Sequence, residues 1–239
     1  MSFPALAGDN GIVVNVPDKY KDRFDRWKTE LLSTEFGRSQ WEQFADKKGF
    51  RLTIRVDADR GKGAGTGHFE WDDDGKLVGA TITLGSEIDQ GVPEPVYYPV
   101  LSSINADDMP TSLVGKILAA TKLSHEFGHV TQALHADAEL IRLQDTLFPE
   151  YAKIFLRNGR DAGDRRLVEM ADKMGGTPTD IWASREYWSE VDAMHYLRER
   201  TAGQPFYCTV MDRIKRNLDD YSPDYRSRFD LASDSSECK

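Results

Sequence analysis

Cysteine is nearly absent: Cys208 and Cys238 are the only two thiols among 239 residues. That scarcity excludes a disulfide-built scaffold and a zinc site made of thiolates alone. Whether the two pair stays open, because Cys238 lies in a polar tail. Long apolar runs are also missing, and none approaches the ~18–20 residues of a membrane-spanning helix. Positive charge is not in excess. Lysine and arginine number 31 against 40 acids, giving a net charge of −9, which argues against nucleic acid as a routine partner. The opening Met-Ser-Phe-Pro-Ala-Leu-Ala-Gly lacks a charged n-region and an apolar h-region. No signal peptide is therefore expected, and an exported mature form stays open. The 39% hydrophobic content suffices for one domain with a real core. Its elements divide into an α/β lobe over 1–135 and a mainly helical lobe over 136–239, polar from about 218.

Histidine is scarce too, yet three of the five fall between positions 125 and 135. Residues 125–129 read His-Glu-Phe-Gly-His. On a helix, His125 and His129 stand about 40° apart around the axis and about 6 Å apart along it, so both imidazoles reach one ion. Glu126 is then placed to take a proton from water that the metal acidifies, the arrangement of H-E-x-x-H zinc peptidases. The flanking sequence supports a helix. Pro110, Thr111 and Ser112 give a start signal, and Leu113, Ile117, Leu118, Ala120 and Leu123 make an apolar stripe. The spacing predicts a buried helix of about 25 residues ending near His135. Gly128 costs about 1 kcal/mol of helix propensity, which close approach of another element would explain.

A catalytic zinc takes three protein ligands and leaves one position open. His135 completes the histidine spacing of metzincins, which have Gly where this chain has Gln132. Val130–Leu134 contains no breaker, and a continuing helix carries His135 about 9 Å beyond His129. The better candidate lies in the helix-compatible, aromatic-rich segment Trp182–Leu197, which contains Glu190-Val-Asp192-Ala193. With the H-E-x-x-H motif, this segment resembles the gluzincin clan of zinc peptidases. Its members draw a third ligand from a later helix written Glu-x-Glu/Asp-Ala or Glu-x-x-x-Asp. Counted from Glu190, the chain fits the first form and departs from the second at Met194.

The resemblance implies a zincin-like α+β fold, a Zn²⁺ cofactor and a peptide or protein substrate. It makes Glu190 the third ligand, with Glu186 one turn earlier as the fallback, and Asp192 an acceptor for a ligand histidine. Tyr187 is the first candidate to stabilise the oxyanion, followed by His195 and Tyr196. Two other classes stay open: a non-catalytic binding protein of zincin fold, and a zinc hydrolase of a non-peptide amide.

Upstream, Asp18–Thr34 and Ser39–Lys48 read as amphipathic helices. Phe50–Val56 alternates as a strand should, and His68–Trp71 and Leu77–Leu84 form a hairpin through Asp72–Lys76. By the resemblance, Ala80–Leu84 is the edge strand that receives extended substrate. Gly61–Gly67 misses the phosphate-loop spacing and reads as a mobile loop. Glu70–Gly75 mimics the start of a calcium loop, but Thr81 stands where a bidentate Glu is needed. The Pro-rich connection Val92–Pro99, with the loop running on to Met109, is expected to wall part of the cleft.

Overall fold

A computed structural model describes residues 11–92, 98–135 and 178–221, isolated residues between 141 and 169, and Cys238. These form a mixed α+β fold. The order is β1 (Gly11–Asn15), α1 (Asp18–Leu31), α2 (Glu35–Ala45), β2 (Arg51–Asp57), β3 (Ala64–Trp71), β4 (Leu77–Gly85), α3 (Thr111–His135), α4 (Pro178–Thr201) and α5 (Tyr207–Tyr221). Short 3₁₀ turns follow β2 and precede α3. Among the described residues, no helix is long and apolar enough to cross a membrane. The turn expected at Gly175–Pro178 lies outside the described residues up to Pro178, which opens α4, and so does most of the polar tail. Helix α5 runs to Tyr221, past the start expected for that tail.

The four strands lie in the order β1-β2-β4-β3. β1, β2 and β4 run parallel, and β3 pairs antiparallel with β4 through the predicted hairpin. Ala80–Leu84 is therefore an interior strand, and β1 and β3 are the two edges. The burial of β4 fits: Ala80, Ile82, Thr83, Leu84 and Gly85 are all buried, which a strand flanked on both sides permits. β3 also begins earlier than expected, at Ala64, so half of the glycine-rich segment is strand rather than loop. Glycine explains both the misreading and the outcome. It lowers strand propensity, but it lets backbones approach closely: a Cβ on Gly85 would come within 2.1 Å of the Gly61 carbonyl oxygen. β1 is an additional strand, too short and too close to the terminus for its pattern to declare it.

The first two helices exist as expected with shifted limits. Thr34 caps α2, accepting the Gly37 N–H at 2.9 Å, so it starts the second helix rather than ending the first.

Helix α3 is buried on every side from Ile117 to Val130. A helix apolar or paired all round belongs in the centre of a protein. It presents Ala119, Ala120, Leu123, Phe127 and Val130 to a core shared with the sheet, α1 and α2. Ile117 joins a second core with Ala193, Met194 and Leu197 of α4 and Val210, Met211 and Ile214 of α5. Lys122 is the exception in this helix. At 2% exposure its ammonium donates to the carbonyls of Lys62 and Ile88, both at 2.8 Å, and to that of Gly91. Those bonds pin the turn before β3 and the segment after β4 onto α3. Cys208 of α5 is disulfide-bonded to Cys238, so the two thiols pair.

Candidate metal centre

The long contact between α3 and α4 brings His125 and His129 opposite Glu186. The two imidazoles stand 5.1 Å apart and nearly perpendicular, as the four-residue spacing predicts. Glu186 Oε2 lies 3.2 Å from His125 Nε2 and 3.5 Å from His129 Nε2. All three residues are buried. Four ligands at about 2.0–2.1 Å around a tetrahedral ion stand about 3.3–3.4 Å apart, so both separations match ligands of one zinc. Two imidazole nitrogens and one carboxylate are also the donor set of a catalytic zinc with one open position.

Glu190 lies one helical turn further along α4 and meets the other side of the same ring. Its Oε1 is 3.2 Å from His125 Nδ1, and its Oε2 accepts the Val100 N–H at 2.9 Å. A carboxylate on the far nitrogen fixes the tautomer and direction of a ligand histidine. The geometry thus brings Glu186, the fallback, to the Nε2 atoms of both histidines and puts Glu190 behind the His125 imidazole. Asp192 does not reach a histidine. It accepts from Gln40 Nε2 at 2.8 Å, in a buried knot that also holds Ser124. His135 is the exposed last residue of α3 and stays apart from the group, because the helix continues unbroken to it.

Glu126 is buried beside His125, and the Thr66 hydroxyl donates to its Oε2 at 2.8 Å. Burial pushes the Glu126 carboxyl above the usual range. Burial alone would lower the pKa of His125, but Glu186 and Glu190 outweigh it and raise it to about 10. The pocket calls for positive charge, and a proton on His125 meets that call where a metal ion does not. Burial also lifts Asp192 to about 7.

The Tyr187 side chain lies outside the described residues. The other two oxyanion candidates point away: the His195 ring packs on Phe36 at 5.4 Å, and the Tyr196 hydroxyl donates to the Glu30 carbonyl at 3.3 Å. Tyr98 meets the edge of the His125 ring at 5.1 Å and was not singled out in the sequence. It lies near the end of the Pro-rich connection expected to wall the cleft, of which 93–97 lie outside the described residues. Thr66 and Gln40 carry no sequence signal of their own, since one threonine in a strand and one glutamine on a helix are unremarked everywhere.

No family model, curated protein or solved structure matches this chain.

Proposed function

We propose that this protein is a zinc-dependent peptidase of zincin type, with His125, His129 and Glu186 as metal ligands and Glu126 as general base. The observation that carries the reading is the approach of one Glu186 oxygen to Nε2 of both motif histidines, at ligand-to-ligand separations, with Glu126 buried next to them. The spacing adds support. Counted from Glu186, the second helix reads Glu-x-x-x-Glu, the Glu-x-x-x-Asp form of gluzincins with a longer acid, and Glu190 occupies the position that orients the first histidine. Glu190 thus moves from ligand to orienting group.

A bound zinc supplies Lewis acidity, which acidifies water and polarises a carbonyl. The chain's own residues do the rest. Glu126, buried and held by Thr66, accepts the proton from the attacking water and passes it to the departing amine. A carboxyl whose affinity for protons is raised by burial is suited to both transfers. Glu190 and Tyr98 hold His125 from behind and from the side. Extended peptide would add along β3, the terminal strand that touches Glu126 through Thr66, by main-chain pairing.

The test pairs metal content with cleavage of an internally quenched peptide library. Wild type is expected to hold one zinc per chain and to cleave, Glu126→Gln to hold zinc without cleaving, and Glu186→Ala to lose the metal. Folded wild type that takes up no zinc, or full activity in Glu126→Gln, overturns the reading.

A further inference from the structure

The edge strand and the base meet in one residue. Gly85 N–H donates to Gly63 O at 2.7 Å, which places 63 and 85 at a bonded position of the ladder, although the Gly63 N–H itself turns to the Arg60 carbonyl. Bonded and non-bonded pairs alternate along an antiparallel ladder, so 65/83 and 67/81 are the next bonded pairs. Ala64 and Thr66 occupy the positions between them. Their N–H and C=O groups therefore face away from β4, towards the open side of the sheet. The Thr66 side chain leaves the strand perpendicular to that direction, into the helical layer. It is 8% exposed, and its hydroxyl lies 2.8 Å from Glu126 Oε2 and 3.0 Å from the Glu126 carbonyl oxygen. Beyond Gly67 the register breaks, with His68 at φ 51°, so the regular edge is Ala64–Gly67.

We infer that Thr66 is the positioning residue that couples an arriving peptide to the general base. The inference rests on the peptidase reading above. A chain that adds along β3 pairs with the main chain of Thr66 and fixes its backbone. The same residue's hydroxyl then holds Oε2 of Glu126 still and leaves Oε1 for the proton in transit. The contact joins substrate binding to catalysis through a single residue, without a moving segment. It also distinguishes Thr66 from a packing threonine, whose hydroxyl would serve only its own strand.

The experiment compares wild type, Thr66→Val and Thr66→Ser as full-length chains. With zinc bound and the quenched peptide library as substrate, Thr66→Val is expected to lose kcat by about tenfold or more while KM changes by less than about twofold. Thr66→Ser, which keeps the hydroxyl, restores most of it. Unchanged kcat in Thr66→Val, or an equal loss in Thr66→Ser, overturns the inference. A second arm needs no activity. In zinc-free protein labelled with [δ-13C]glutamate, the Glu126 resonance, identified by its loss in Glu126→Gln, is expected to move in Thr66→Val and to return in Thr66→Ser. An unmoved resonance overturns the inference whatever the activity. A wild type that cleaves nothing while the resonance moves overturns the coupling together with the peptidase reading and leaves the Thr66–Glu126 bond standing. Cleavage that is indifferent to Thr66 overturns the coupling alone.

Discussion

Glu186 and Glu190 address opposite nitrogens of one imidazole: Glu186 Oε2 lies 3.2 Å from His125 Nε2, and Glu190 Oε1 lies 3.2 Å from His125 Nδ1. Four residues apart on α4, the two acids share a face. On the proposed reading, the ring between them separates their tasks.

Those tasks predict different losses. Glu190→Gln keeps the shape and removes the charge behind His125, so zinc affinity is expected to fall about 10- to 100-fold with one-to-one binding retained. Competition with a chromophoric chelator measures it. Undetectable binding in Glu190→Gln, with normal binding in Glu186→Gln, would reverse the two assignments.

Zinc uptake should release protons. With its pKa raised to about 10, His125 is an imidazolium in the metal-free protein at neutral pH, and it must be neutral to ligate. Apparent zinc affinity is therefore expected to rise with pH until His125 is neutral without the metal, near pH 10. Calorimetry in buffers of different ionisation enthalpy counts the protons. A buffer-independent heat at pH 7 contradicts the prediction.

Much of the site was legible because its parts are local. The H-E-x-x-H helix declares itself in five consecutive residues, and its apolar flanks announce burial. The choice between Glu186 and Glu190 was not legible, because acids one turn apart share a helix face and only the rotation of α4 against α3 separates them. Strand order is likewise a tertiary property. Ala80–Leu84 precedes the motif helix in the chain, yet β2 and β3 close it in on both sides. Glycine at 61, 63, 65 and 67 pointed to a loop by propensity, while the close approach of the 61–63 backbone to β4 depends on a different glycine, Gly85, which has no Cβ to block it.

Asp192 sets a pH dependence. Burial raises its carboxyl to about 7 from an ordinary 3.8, so between those values the folded chain binds more protons than the unfolded one. Its contribution to stability is full below about pH 3.8 and is lost as pH rises through 7. Relative to Asp192→Asn, wild type is expected to lose up to about 1.4 kcal/mol per pH unit across that window. Urea unfolding of both proteins in the same metal state, from pH 4.5 to 8, reads the difference. Parallel curves would contradict the assignment.

Lys122→Met should cost about 2–4 kcal/mol, because the carbonyl groups of Lys62, Ile88 and Gly91 lose a shared donor. Lys122→Arg is not expected to restore the loss, since a planar guanidinium does not fit a cage shaped around a compact ammonium. Chemical denaturation checks both, and stability equal to wild type in Lys122→Met would remove the cage from the account.

The break in β3 after Gly67 also bears on solubility. An unpaired strand invites other copies to stack on it, and cross-β assembly generally takes about six or seven consecutive residues of high strand propensity. Here the regular stretch ends after four residues, two of them glycine, where His68 turns the backbone aside. On the proposed reading the opening admits one passing chain, and it is too short to template a fibril.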